Sequence, residues 1–172
     1  MQRDPSSNRR LRPIVSVGAA LILVATSPAP AAARAMQCAP ASPRTIEAQF
    51  GRFNDSWQTR DSRKVTALFS PDAVLLATVS NRPRTTPPEV RDYFDHFLLS
   101  RPVAKIDTST IRIGCNMATR VGTWMITLTD AKTHEKADVH ARYTFVYKFS
   151  GGQWWIEHLH SSLMPEAVAA GH

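Results

Sequence analysis

The sequence predicts an α+β domain in which helices come first and a meander of long antiparallel strands follows, so that the helices cover one face of a curved sheet. Three observations predict it. An apolar stripe at helical spacing opens the chain beyond residue 42. A later helix carries a complete start signal near residue 86. Beyond Pro102 the texture changes to long runs of alternating character, separated by turn residues.

In chain order, Ile46, Phe50, Phe53 and Trp57 are spaced by four, three and four, one face of an amphipathic helix. "SRKVTALFS" predicts a short helix stopped by Pro71, and "DAVLLATVS" a strand rich in Val and Leu. "TPPE" combines an N-cap threonine at Thr86, prolines in the first turn and Glu89 three residues on, which predicts a helix to about Leu99. Val90, Tyr93, Phe94, Phe97 and Leu98 are its expected buried face, and Pro102 ends it. Four strands are then expected in "AKIDTSTIRIGC", "ATRVGTWMITLTD", "ADVHARYTFVYKF" and "QWWIEHLHSSL".

Outside this region the expectations concern targeting. Arg9, Arg10 and Arg12 precede the 12-residue apolar run "IVSVGAALILVA", and small residues end at Ala35, the pattern of a cleaved export signal over residues 1–35. A run of that length falls short of the roughly 20 residues that cross a bilayer, so no stable membrane anchor is expected. The general secretory route is the plainer choice over a twin-arginine one, and Cys38 lacks the small residue that lipid attachment would need just before it. Residues 36–42 read as a linker, 43–166 as the domain and 167–172 as a disordered tail. Five arginines and one aspartate precede residue 36, so removal of the segment lowers the net charge from +7 to +3. What remains is scattered in both signs, which argues against nucleic acid as a partner. Cys38 and Cys115 are the only cysteines, and an oxidising compartment favours joining them; two free thiols are the alternative.

The closing "WWIEHLHSSLMPE" invites a chemical reading. Gly151-Gly152 as a two-residue hairpin loop pairs Ser150 with Gln153 and, continued without interruption, sets Phe145 opposite His158 and Tyr143 opposite His160. Both histidines then share a face with Tyr143, Phe145 and Tyr147. A metal site would need a third protein ligand, and none stands at a diagnostic spacing, so no metal and no cofactor are expected. Ser161 and Ser162 lack the glycine-flanked elbow of a nucleophilic serine. General acid–base work in a cavity stays open, with Asp55, His158 and His160 as catalytic candidates. Arg142 sits in a near-apolar run, where an unpaired guanidinium is costly. An ion pair with Glu157, capture of an anion with Arg84 or Arg120, or exposure at an edge would each resolve it.

"RFNDSW", "LFSPDAVLLATVSNRPRTTPPEVRDYFDHFL", "IRIGCN" and "ARYTFVYKFSGGQWWIEHLHSSLMPE" together resemble the association domain of calcium/calmodulin-dependent protein kinase II, in its bacterial exported versions, within the nuclear transport factor 2-like (SnoaL-like) superfamily. The resemblance covers residues 43–166 and implies a cone-shaped fold with a pocket between helices and sheet. It implies self-association, as a homodimer through the sheet or a larger ring. It also implies a pocket whose arginines accept small carboxylates; one of those positions is Phe145 here, and whether Arg142 takes its place stays open. Relatives in the superfamily include ketosteroid isomerases and polyketide cyclases, whose acidic pair has no match in this chain. The expected function is therefore an exported homo-oligomeric domain with a small-ligand pocket, non-catalytic, with Asn54, Trp57, Arg84, Arg120, Arg142 and Tyr143 as ligand-binding candidates. The rivals are an isomerase, cyclase or hydratase using Asp55 or a terminal histidine as base, and an interaction module without ligand.

Overall fold

The computed structural model describes residues 37–166; the expected export segment over 1–35 and the tail at 167–172 lie outside the described residues. Helix α1 (Pro43–Gln58) starts at Ser42, whose hydroxyl accepts from Thr45 N, with Pro43 in the first turn. It buries Ile46, Phe50, Phe53 and Trp57, the expected stripe, and adds Ser56, whose hydroxyl donates back to Phe53 O at 2.6 Å. Helix α2 (Ser62–Thr66), capped by Asp61, leads into β1 (Phe69–Leu76). Helix α3 (Pro87–Phe97) begins at Thr86, where the Glu89 carboxylate accepts from Thr85 N at 2.9 Å and Thr86 N at 3.2 Å. A single 3-10 turn, Leu98–Ser100, then gives way to β2 (Val103–Ile113), β3 (Met117–Thr129), β4 (Lys136–Ser150) and β5 (Gln153–Leu163).

The sheet order is β1-β5-β4-β3-β2, antiparallel throughout except that β1 runs parallel to β5. One face is covered by the helices and carries the core, in which Phe53 meets Trp57, Phe69, Phe94 and Phe145 at ring-centroid distances of 4.9 to 6.1 Å. Cys38 and Cys115 form a disulfide that closes 77 residues of chain. Beside it, the Asn116 side chain accepts from Ala39 N at 2.7 Å, so the N-terminal lead is tied to the β2–β3 turn twice.

The expected register of the last hairpin holds for only four residues. Gly151 and Gly152 both have positive φ, 59° and 83°, which suits glycine and matches the twist of a two-residue loop. Ser150–Gln153, Phe149–Trp154 and Tyr147–Ile156 pair as expected, and then the ladder shifts so that Val146 faces His158. Glu157 is the extra residue of a β-bulge. Because side chains alternate with period two, one inserted residue exchanges the faces of everything beyond it. Phe145 therefore opposes Leu159 and Tyr143 opposes Ser161, while His158 and His160 oppose Val146 and Thr144. The expected pairing of Phe145 with His158 and of Tyr143 with His160 is overturned. The exchange buries Leu159 at 3% exposure and leaves the imidazoles outside, the arrangement that hydration of a polar ring and transfer of a leucine both favour.

A second bulge between Ile106 and Thr108 bends β2 over β3. There the Tyr143 hydroxyl donates to Thr108 O at 2.9 Å across Gly122. A Cβ at residue 122 would stand 2.0 Å from that carbonyl oxygen, so this crossing requires glycine.

Candidate functional site

Where α1, α3 and the sheet diverge, a cavity opens between Phe53 and Trp57 of α1, Tyr93, Phe94 and Phe97 of α3, and Trp124, Ile126, Leu159 and Ser161 of the sheet. Leu75, Ala77 and Thr78, in and just after β1, complete the wall. Its volume reaches about 280 Å³ only when the open mouth is counted. The space inside that accommodates water is about 20 Å³, room for about one molecule, so a larger guest enters only as the ring side chains part. The walls are aromatic because α1 and α3 each direct a stripe inward. Trp57 and Phe97 meet edge to face at 5.2 Å, and Tyr93 stacks on Phe97 at 5.4 Å.

Few polar atoms line it, and most are occupied. Trp124 donates its indole N–H to Ser161 Oγ at 3.1 Å, and the Thr78 hydroxyl donates to the same oxygen. The Trp57 indole N–H is buried without a partner. Burial pushes the Tyr93 phenol well above its ordinary range, opposed by the positive charge of Arg84, so Tyr93 stays neutral at physiological pH. Arg84 stands over the Tyr93 ring at 6.0 Å and pairs with Asp92 at 2.8 Å, yet its Nε is buried and unpartnered. An outer recess lined by Arg84, Tyr93, His96, Phe97 and Leu128 shares Tyr93 and Phe97 with the cavity, which places Arg84 at the cavity's approach. The unpartnered polar atoms here are N–H donors, and what they require is a hydrogen-bond acceptor.

The other sequence candidates are dispersed. Asn54 clamps α1 to β2: its amide donates to Ala104 O at 3.2 Å and its carbonyl accepts from Ala104 N at 3.0 Å. Tyr143 is buried and committed to Thr108 O. Asp55 is exposed on α1. Arg142 is exposed on the sheet's uncovered face and donates to Leu163 O at 3.4 Å, while the Glu157 carboxylate meets Lys148 at 3.5 Å and accepts from Ser70 at 3.1 Å. The expected pairing of Arg142 with Glu157 is thus not made, because Arg142 pairs with Ser162, well along β5 from Glu157, whose carboxylate is taken by Lys148 and Ser70. His158 and His160 also lie on the uncovered face, with ring centroids 6.5 Å apart. Among the described residues no group of three or more His, Cys, Asp or Glu side chains could hold a metal. Arg120 is buried on the inner face and does not line the cavity.

Of the candidates, the structure brings only Trp57 and Arg84 to this cavity. It adds Thr78, Trp124 and Ser161, which sequence reasoning missed as site residues. A composition signal existed for Ser161, since an unshifted ladder would have placed Leu159 on the uncovered face and two imidazoles in an aromatic core.

The family described as calcium/calmodulin dependent protein kinase II association domain matches residues 43–165. The chain is similar to an association domain of that kind from Xanthomonas campestris at 39% identity, covering 76% of this chain and 96% of that one with a TM-score of 0.72. It also shares its fold with a nuclear transport factor 2-like superfamily protein from Salmonella enterica at 18% identity, over 75% and 96% of the two chains with a TM-score of 0.63. A protein from Streptomyces avermitilis assigned as a dehydratase of the same fold family, at 9% identity, covers 72% of this chain and 97% of its own with a TM-score of 0.65. No curated protein matches the chain.

Proposed function

Because the chain belongs to the calcium/calmodulin dependent protein kinase II association domain family, we propose that it is an exported, self-assembling domain whose cavity holds a small organic molecule without transforming it. The observation that carries this reading is the sheet face turned away from the helices. Val121, Thr144, His160 and Leu76 form one cross-strand row on it, and Thr119, Val146, His158 and Val74 form the next. Val121 is 38% exposed and Met117, on the same face of β3, 43% exposed. β-branched and apolar side chains in adjacent rows suit pairing with a second copy across a twofold axis, where the same patch serves both subunits.

The ligand half of the reading rests on the unpartnered Trp57 N–H and on Arg84 at the approach. A buried donor without a partner costs about 1–3 kcal/mol, and a carboxylate or carbonyl oxygen would remove that cost. A small carboxylate suits these donors best by chemistry, its oxygens toward the unpartnered N–H groups and its body entering from the mouth as the ring side chains part. A catalytic use would need an acid–base group at the floor. The lining supplies hydroxyls, a phenol and indole N–H groups, and Asp55, His158 and His160 stand elsewhere. Export is supported by the disulfide, which persists in oxidising compartments.

Sedimentation velocity tests the assembly. Wild type at micromolar concentration is expected as a dimer or larger, and Val121→Glu with Thr144→Glu is expected to give a monomer with an unchanged circular dichroism spectrum. A wild type that stays monomeric at the highest soluble concentration overturns the reading.

A further inference from the structure

Arg120 presents a problem that neither the cavity nor the sheet face resolves. It lies on the inner face of β3, opposite Phe145 and Ile111, and is 6% exposed. Its Nε donates to Ser109 Oγ at 2.9 Å, and its guanidinium carbon stands 5.3 Å from the centre of the Phe50 ring. Its Nη1 is buried and has no partner. No carboxylate lies within 4.0 Å of it among the described residues. The hydroxyl of Tyr147, at 1% exposure, is a second buried group without a partner.

The charges nearby make the imbalance worse. Burial holds the Tyr147 phenol above its ordinary range, so it remains a neutral donor, and Arg120 and Arg52 are the positive charges that act on it. A hydroxyl contact and an aromatic face compensate a desolvated guanidinium only in part, because neither carries charge. Gln49, one residue before Phe50 on α1, has an unpartnered amide oxygen, which is also neutral. Water would satisfy hydrogen bonds and leave the charge unopposed. What the setting lacks is one negative charge of small radius, since the two residues leave almost no surface open.

We propose that Arg120 holds a single small monoanion, of chloride size, as a buried counter-ion that Nη1 and the Tyr147 hydroxyl contact between α1 and the sheet. Ser109 is exposed and marks the side from which the ion enters. This site shares no residue with the lining of the cavity, so it stands or falls apart from the ligand proposed there.

The test is thermal unfolding of the purified domain in sodium chloride against sodium gluconate at matched ionic strength, gluconate being too large to enter. The expected result is a melting temperature that rises and saturates with chloride and stays lower in gluconate. Tyr147→Phe, which keeps the ring, should raise the half-saturating chloride concentration about tenfold. Arg120→Met should abolish the difference between the two salts. Crystals grown in bromide should show an anomalous peak beside Arg120 Nη1. Identical curves in the two salts for wild type overturn the proposal, as does a chloride effect that survives in Arg120→Met. Should Arg120→Met fail to fold, Tyr147→Phe decides: an unshifted half-saturating concentration, with no bromide peak in wild type, is equally fatal.

Discussion

Truncating Leu159 and its neighbour His158 in parallel separates the bulged ladder from an unbulged one. Leu159 is 3% exposed, opposes Phe145 and lines the cavity, so Leu159→Ala removes buried methyl groups from a packed aromatic environment. Such a change costs about 2–5 kcal/mol, toward the lower half here because the cavity already offers space on one side. His158 faces outward beside Val146 and Val74, and His158→Ala should cost under about 1 kcal/mol in the dissociated subunit. In guanidinium chloride, with a slope of about 4 kcal/mol per molar for a domain of this size, a loss of about 3 kcal/mol lowers the midpoint by about 0.8 M. The histidine variant should move it by less than about 0.25 M. Both are compared with wild type at one protein concentration, because assembly makes midpoints concentration-dependent. Equal shifts, or a larger shift for His158→Ala, would refute the assignment of faces.

Three further outcomes follow from single contacts. Gly122→Ala places a methyl group 2.0 Å from Thr108 O, and moving a backbone bulge to relieve it should cost about 1–3 kcal/mol, read as a lower melting temperature. Reduction of Cys38–Cys115, or the double serine variant, should remove about 4.5 kcal/mol in the chain-entropy picture for a loop of 77 residues, read by denaturant titration. Binding of benzoate should change tryptophan fluorescence saturably in wild type, and Trp57→Phe, which keeps an aromatic wall but deletes the free N–H, should weaken binding about fivefold to tenfold.

Local rules carried most of the fold. The stripe of α1 and the Thr86–Glu89 start of α3 depend on spacing and capping alone, and the structure bears both out. The four strands after Pro102 follow from alternation and turn residues, and all four form. The disulfide between Cys38 and Cys115 is likewise as expected. The site was less legible, and Glu157 is the reason. A bulge answers to sheet curvature, which leaves no local mark in "WIEHLH", and to the competition between Leu159 and His158 for the core, which shows only once the unshifted ladder is seen to bury imidazoles in place of a leucine. Arg142 lies on the face it was expected to share with Thr144 and Val146, and of its three alternatives exposure is the one realised; the ion pair fails because Glu157 sits too far along β5. Asn54 and Tyr143 have polar side chains that the sequence could not distinguish from ligand contacts. Only the pairing of β2 against α1 and β3 shows that their hydrogen bonds are already made by Ala104 and Thr108.

The most direct measurement is an isotope-filtered NOE experiment on a mixture of labelled and unlabelled subunits. The imidazole protons of His158 and His160 should show contacts to the methyl groups of Val74, Leu76 and Val146 within a subunit, and to outer-face methyl groups such as those of Val121 across subunits. Contacts from either imidazole to the Phe145 or Phe53 ring, with no signal between subunits, would contradict both the outward placement of the histidines and the pairing face built on it.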